Sequence, residues 1–407
     1  MSHRHLLSTM VRSRATATER GEGPMDVKQQ ARDGFEAIYG ELREISRWMY
    51  DNPELAFAEH QSSRRLAEFL AGHGFTVEYP AYGMETAFAA RAGKAGPEVI
   101  VCAEYDALPG VGHACGHNII ATAALGAGVA VAGMADELGF RVTVLGTPAE
   151  EARGGKVDLI NAGAFAGAAA AMMIHPSPEE TVDPVALAIK HLAVTFRGKD
   201  AHAAAAPWEG INALDAFVQL YMNVSTFRQQ MLPTDKLHGI VTHGGDAPNI
   251  IPSRTESEWY VRALSKDRLA YMMDRFTAMA EAAARSTGCT VEFTPSGHEY
   301  EDILSEPLMT QLFAANYAAL GRTVTWAKDR PASTAGSTDM GNVSHVVPAI
   351  HPMVGMDTKG AVNHQPEFAA HTITPDGDKA MRDGALAMAW TILDLAEGKR
   401  WGELKRP

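Results

Sequence analysis

The chain has 407 residues, 46% hydrophobic and 21% charged, which is an ordinary composition for a globular protein of two or three domains. Its formal net charge is −13 and it contains no basic stripe, so nucleic acid is excluded as an expected partner. The cysteine count of 3 excludes a disulfide framework and indicates a reducing, cytoplasmic location, and no apolar run reaches the length of about 18 residues that a membrane helix needs.

The first segment, residues 1–24, differs in composition from the rest of the chain. It is rich in Ser, Thr and Arg, lacks Phe, Tyr and Trp, and has no apolar centre of a secretory signal. This composition predicts a disordered tail. A basic, Ser-rich segment is also compatible with an organelle transit peptide, and Met25 is an alternative start.

Helices and buried strands alternate after this tail. Helical spacing covers 27–47 and 62–73, and the second helix is expected to end at Gly74. Three apolar runs then predict buried strands, separated by the helical segments 119–138 and 157–162. These runs are 99–103, 142–146 and 171–174. The alternation predicts an α/β domain with a mixed, largely parallel sheet flanked by helices.

Each of the three predicted strands ends in polar side chains. Glu104 and Asp106 follow the first strand, Glu150 and Glu151 follow the second, and His175 follows the third. In open α/β sheets, sites form at the carboxyl ends of the strands. The sequence therefore predicts that these side chains meet at one edge of the sheet, although a lone histidine there is also compatible with a structural role.

Cys115 and His117 lie in a Gly-containing loop that opens the next helix. A helix N-terminus favours the thiolate, and such side chains near a core are costly unless they are paired or bind metal. Alone, the Cys-Gly-His motif is equally compatible with a buried structural cysteine beside a capping histidine. The acids at the strand ends favour a metal site.

The adjacent carboxylates of Glu150 and Glu151 suit two different roles, one as a metal ligand and one as a base. Two like charges this close raise the pKa of one of them, which suits a proton shuttle. The alternative is a solvated acidic turn. His364 and the polar turn at 337–340 are further residues that could line a cleft.

The pattern changes after residue 186 to a β-α-β-β-α-β order, which predicts an α+β, ferredoxin-like domain at 187–296. This domain would be inserted between the two parts of the first domain, 25–186 and 297–407. Within it, His202 lies in a small-residue turn, Asn249 precedes a strand, and Arg262 ends that strand. Arg and Asn suit recognition of a substrate carboxylate, whereas a surface ion pair is the alternative for Arg262.

Together these residues resemble the peptidase M20 family (aminoacylase / carboxypeptidase G type), and the resemblance covers nearly the whole chain. The motifs that carry it are 106–109, 113–117, 148–151, 198–202, 249–252 and 363–365. Two departures, Glu104 and Asn118, are similar to the branch that holds the B component of aminobenzoyl-glutamate hydrolase and the β-alanyl-lysine-type dipeptidase. The fold implied is a catalytic α/β domain with an inserted lid and dimerisation domain.

The resemblance also implies two divalent metal ions, Zn²⁺ or Mn²⁺, between the sheet edge and the lid. The implied ligands are Cys115, His117, Glu151, His175 and His364. By the same resemblance, Glu150 is the general base that activates water, and Asp106 orients a ligand. His202 is implied to stabilise the oxyanion, often across a homodimer interface formed by the lid, and Asn249 and Arg262 are implied to contact the substrate carboxylate.

The function that follows is hydrolysis of the amide bond of an N-acyl amino acid, an aminobenzoyl-glutamate-like conjugate or a dipeptide. The small-molecule substrate would carry a free carboxylate. Two alternatives belong to other classes: a non-catalytic or regulatory subunit on the same scaffold, and a thiol enzyme that uses Cys115 as its nucleophile.

Overall fold

The computed structural model describes residues 26–329 and 336–407, so the expected disordered tail at 1–24 lies outside the described residues. The helices of the described part are α1 (Val27–Asp51), α2 (His60–Gly72), α3 (His117–Ala132), α4 (Ala135–Leu138), α5 (Gly155–Asn161), α6 (Ala213–Phe227), α7 (Lys266–Thr287), α8 (Pro307–Ala319), α9 (Met340–Ser344), α10 (Pro366–His371) and α11 (Pro375–Glu397). The strands are β1 (Thr76–Glu78), β2 (Phe88–Ala92), β3 (Glu98–Ala103), β4 (Arg141–Gly146), β5 (Ala170–Met172), β6 (His175–Ser177), β7 (Ala188–Arg197), β8 (Lys236–His243), β9 (Arg254–Ala263), β10 (Thr290–Pro295), β11 (Ala349–Ile350) and β12 (Met353–Gly355).

The first sheet has the strand order β1-β2-β4-β3-β5-β11. Its inner strand β3 pairs in parallel with β4 and β5, and β11 pairs in parallel with β5, whereas β1 and β2 are antiparallel additions. The prediction of a mixed, largely parallel sheet flanked by helices is therefore confirmed. In β3 and β4 every residue after the first is buried, which is why both appear in the sequence as continuous apolar runs.

Helix α3 is buried on nearly all sides because it packs between the sheet and helices α1 and α11. Two of its glycines allow this close packing. A Cβ atom at Gly126 would lie 2.5 Å from the Phe35 ring, and one at Gly128 would lie 2.4 Å from a methyl group of Val144. The predicted helix 119–138 divides into α3 and α4, because the chain turns at Gly133.

The predicted third strand is shorter than the sequence suggests. Strand β5 ends at Met172, and His175 begins the separate strand β6, which pairs in parallel with β12 in a two-stranded sheet. The apolar run 171–174 continues into the turn because Met173 and Ile174 are also fully buried. Burial, rather than sheet pairing, keeps this run apolar.

The second sheet has the order β10-β7-β9-β8, and its neighbouring strands are all antiparallel. Helices α6 and α7 pack on it around a core of its own. This part of the chain thus has the β-α-β-β-α-β order that the sequence pattern predicts. The division of the chain into domains at 25–186, 187–296 and 297–407 remains a prediction. Among the described residues, no helix combines the length and apolar character needed to cross a bilayer.

Candidate metal centre

The loop before α3 brings Cys115 and His117 to the carboxyl end of the first sheet. Gly116, between them, has a φ of 85° in the left-handed region, and a Cβ atom there would lie 2.4 Å from a ring carbon of Pro176. Glycine is therefore required both for the turn and for the close approach of β6. The turn allows the thiol and the imidazole to face the same space.

Potential ligand atoms form two groups that share the Cys115 thiol. One contains Cys115, His117 and His175, and the other contains Cys115, Glu151 and His364, with the ligand atoms of each group within 4.8 Å of one another. The Cys115 Sγ lies 3.3 Å from His175 Nε2. The structure thus brings together all five residues predicted as metal ligands.

Asp106 orients two of these residues. One of its oxygens, Oδ1, lies 2.9 Å from His117 Nδ1, and the other, Oδ2, accepts the backbone N–H of Glu151 at 2.9 Å. The remaining ring nitrogen, His117 Nε2, points toward Glu151 Oε1 at 3.7 Å. Neither of these two buried atoms has a hydrogen-bond partner among the described residues. Both atoms are therefore available to bind cations.

Glu150 lies beside this centre, within 4.8 Å of ligand atoms of His117 and Glu151, and lines the adjoining cavity. Its backbone carbonyl accepts the Tyr300 hydroxyl at 2.9 Å. Desolvation, together with the carboxylates of Glu104 and Glu151, raises the pKa of Glu150 well above its usual value. A carboxyl group with a raised pKa beside a ligand cluster is suited to carrying a proton.

A buried ion cluster, which the sequence did not predict, contacts the metal centre through Glu104 and His117. The fully buried Lys156 donates through Nζ to Glu104 and, at 2.6 Å, to Asp339 Oδ1. The second oxygen of Glu104 lies 3.4 Å from His117 Nε2. Lysine is rarely buried, so no sequence signal distinguishes Lys156 from a surface lysine. The sequence indicates Asp339 only through the polar turn at 337–340.

A cavity of 440 Å³ opens beside the two ligand groups. Its wall includes side chains of the first part of the chain and Arg262 from β9, whose Nη1 donates to Ser337 Oγ at 3.1 Å. Because a hydroxyl does not neutralise the guanidinium, this contact leaves the charge of Arg262 available to an anion. His351 also lines the cavity and was not predicted; burial lowers its pKa to about 3.

His202 and Asn249 lie together elsewhere. Neither lines the cavity, and both are exposed. The Asn249 carbonyl accepts the Ala203 N–H at 2.9 Å, and His202 Nδ1 accepts the N–H groups of Ala204 and Ala205 at 3.2 and 3.1 Å. The latter two contacts engage His202 Nδ1. Of the two residues predicted to contact the substrate carboxylate, Arg262 lines the cavity and Asn249 does not.

The residues present fit a pair of divalent cations. A thiol, imidazoles and a carboxylate are ligands that Zn²⁺ accepts, and carboxylates and imidazoles also suit Mn²⁺. The unpartnered buried atoms His117 Nε2 and Glu151 Oε1 would be costly without a cation to contact them.

The chain is similar in sequence and in fold to several known proteins. Residues 100–388 match the model of peptidase family M20/M25/M40. The chain is 39% identical over 383 residues to the Xaa-Arg dipeptidase of Mus musculus, covering 91% of this chain and 89% of that protein. It is 31% identical over 281 residues to the B component of the p-aminobenzoyl-glutamate hydrolase of Escherichia coli, covering 64% and 58%. A crystal structure described as a dinuclear metal-binding peptidase of the M20 family from Bacillus subtilis matches with a TM-score of 0.67 and 21% identity, over 88% of this chain and 99% of that one.

Proposed function

The chain belongs to peptidase family M20/M25/M40 and is a metal-dependent hydrolase of amide bonds, and from this premise we propose that it cleaves a dipeptide or N-acyl amino acid with a free carboxylate. The observation that carries this proposal is the pair of ligand groups sharing the Cys115 thiol, with Glu150 beside them at the cavity wall. An aminobenzoyl-glutamate-like conjugate belongs to the same class of substrate.

We assign one ion to Cys115, His117 and His175, and the other to Cys115, Glu151 and His364. When bound, the ions would supply Lewis acidity to the scissile carbonyl and to the attacking water. Either Zn²⁺ or Mn²⁺ is compatible with these ligands. Asp106 holds the His117 ring and the Glu151 backbone. Because these two residues belong to different ligand groups, Asp106 fixes the two groups relative to each other.

Glu150 is the general base of the proposed reaction. It takes a proton from the attacking water and returns it to the leaving amine, so its carboxyl group ends the cycle in its starting state. In the metal-free chain, burial and the neighbouring carboxylates raise the pKa of Glu150, and bound cations would lower it again, which favours the carboxylate that accepts the water proton. Glu150 is absent from both ligand groups that contain Cys115, and its carboxylate lies within 4.8 Å of potential ligand atoms of His117 and Glu151.

Arg262 would bind the substrate carboxylate. It lines the cavity on the wall contributed by β9 and keeps an unneutralised guanidinium there. A guanidinium forms paired, charge-assisted hydrogen bonds with a carboxylate. The distance between this wall and the ligand groups then sets which amide bond reaches Glu150.

His202 would act from a partner subunit, and we propose a homodimer formed through the second sheet. Exposed apolar side chains lie on α6 and on the edge strand β8, where a second copy could cover them. These side chains are Val218, Tyr221, Met222, Ile240 and Val241. Asn249, held next to the His202 turn, would reach the same neighbouring cavity.

A dipeptide is the first substrate to test, because a relative with 39% identity is an Xaa-Arg dipeptidase. The chain would be loaded with Zn²⁺ or Mn²⁺ and assayed with Xaa-Arg dipeptides, β-alanyl dipeptides, N-acyl amino acids and p-aminobenzoyl-glutamate. Hydrolysis that is lost in Glu150→Gln while the metal content is kept would support the proposal. Full activity of that variant would overturn the role of Glu150, and activity that survives chelation would indicate the thiol mechanism.

A chain that binds both ions and hydrolyses none of these compounds would favour the alternative of a non-catalytic subunit. The oligomeric state of the assayed protein should be measured by light scattering, because the proposed contribution of His202 requires a dimer. A mixed dimer of His202→Ala and Glu150→Gln chains would recover activity if His202 acts across the interface. No recovery would contradict this arrangement.

A further inference from the structure

Two buried carboxylates hold the loop that carries Glu150, one on each side of it. Asp106 accepts the backbone N–H of Glu151 at 2.9 Å. Glu59 Oε1 accepts the backbone N–H of Ala149, also at 2.9 Å. Glu59 is fully buried, and Asp106 is 1% exposed. The proposed base, Glu150, therefore lies between two residues whose backbone N–H groups are held by buried carboxylates.

Ala149 has an uncommon conformation that needs such an anchor. Its φ is 61°, in the left-handed region that residues with a side chain rarely occupy. Its carbonyl accepts the N–H of Gly154 at 3.0 Å, so both of its backbone groups are engaged. Strained residues of this kind persist only where their surroundings hold them in place. Glu59 supplies the N–H half of that restraint.

Besides the Ala149 amide, the Glu59 carboxylate engages the Thr86 side chain and its own backbone N–H. Glu59 precedes α2 as the N-cap residue, but its side chain makes no capping hydrogen bond. The nearby Glu54 performs that task, since its carboxylate accepts the N–H groups of Gln61 and Ser62. Burying a carboxylate is unfavourable, and burial together with Asp106 raises the pKa of Glu59 to about 7.

We propose that Glu59 is a positioning residue, which fixes the backbone at Ala149 and thereby the direction of the Glu150 side chain. This inference rests on the proposed role of Glu150. Glu59 does not line the cavity, so its proposed influence on the reaction passes through the loop. The proposal requires an acceptor oxygen within hydrogen-bond distance of the Ala149 N–H. It does not require the negative charge of the carboxylate.

Two conservative variants distinguish the effect of the position of the Glu59 oxygen from the effect of its negative charge. Glu59→Gln keeps an oxygen at the same distance, so kcat should stay within about threefold of the wild type. Glu59→Asp keeps the charge but withdraws the oxygen by one methylene, and kcat should fall by about tenfold or more, since an error of about 1 Å in position can cost about 10²-fold. In both variants KM should stay within about twofold and the metal content should be unchanged, because Glu59 touches neither substrate nor ligand atoms.

Glu54→Asp is the matched control, because it shortens a capping carboxylate in the same segment without touching the Ala149 loop. It should lower the melting temperature while leaving kcat near the wild-type value. A Glu59→Asp variant with wild-type kcat would overturn the proposal. So would equal losses in Glu59→Asp and Glu59→Gln, or a loss of bound metal in Glu59→Asp.

Hydrogen–deuterium exchange separates this inference from the proposed function. The peptide covering 147–155 should exchange faster in Glu59→Asp than in the wild type or in Glu59→Gln, because the Ala149 amide loses its acceptor. Unchanged exchange would overturn the inference even if the enzyme is active. If the wild type hydrolyses no substrate, the proposed function fails, and the exchange result still decides whether Glu59 holds this loop.

Discussion

The His117 ring and the Asp106 carboxylate lie 2.9 Å apart, with the other Asp106 oxygen on the Glu151 backbone. One fully buried carboxylate therefore fixes a ligand at the start of α3 relative to a ligand in the loop after β4. This relationship couples two predicted ligand groups, because His117 belongs to one and Glu151 to the other.

Asp106→Asn should weaken metal binding by about 10- to 100-fold, the usual effect of removing a residue that orients a ligand. An amide can accept one hydrogen bond with its oxygen, but its nitrogen cannot accept from the second donor. Isothermal titration of the chelator-treated protein with Zn²⁺ measures the change. Asp136→Asn, at an exposed ion pair with Lys94, is the control and should bind metal as the wild type does. Wild-type affinity in Asp106→Asn would show that the carboxylate is not needed for orientation.

The sequence predicts some of these residues because they stand at the end of an apolar run, where the sheet must bring them together. Asp106 and Glu151 are of this kind, and the strands before them are buried along their length, whereas Cys115 and His117 are indicated by the Gly-containing turn that opens α3. Glu59, Lys156 and His351 could not be found in this way. Their residue types are usually exposed or half-exposed, and only the packing of distant segments buries them beside the site.

The fully buried Lys156, between Glu104 and Asp339, should be essential to stability. Lys156→Met would leave two carboxylates unpaired in the core, and breaking a buried ion cluster typically costs about 3–5 kcal/mol of the free energy of unfolding. Urea unfolding followed by circular dichroism measures this loss.

Lys94→Met is the matched control for Lys156→Met. Its partner Asp136 lies at 2.8 Å, but the lysine side chain is 87% exposed, so water screens the pair and the free energy of unfolding should hardly change. Similar losses in the two variants would contradict a special contribution of burial. The double variant Lys156→Met/Glu104→Gln should recover part of the loss, because one of the unpaired charges is removed.

Stability should fall in acid partly through His351. Burial lowers its pKa from 6.5 to about 3, so the unfolded chain binds a proton that the folded chain does not between these values. The contribution is therefore fully present above pH 6.5 and is lost as the pH falls toward about 3, with a slope of about 1.4 kcal/mol per pH unit.

The measurement is urea unfolding of chelator-treated protein between about pH 4 and about pH 7, values chosen inside and just above that window. In His351→Gln the free energy of unfolding should depend less steeply on pH, by the slope that corresponds to about one bound proton, because the amide does not titrate. An unchanged slope would show that His351 is not kept neutral by its surroundings.

Arg262 should determine the preference for substrates with a free carboxylate. Arg262→Lys keeps the charge but loses the paired geometry, and Arg262→Ala loses both, so KM should rise in that order, by about 10-fold or more for alanine, an effect of the size of one charge-assisted hydrogen bond. A dipeptide amide, which lacks the carboxylate, supplies the comparison. The wild type should hydrolyse it poorly, and Arg262→Ala should lower its kcat/KM little further, since the lost group has no partner on this compound. If the variant impairs both compounds equally, Arg262 shapes the cavity through packing with β9 and Ser337 instead of binding the carboxylate.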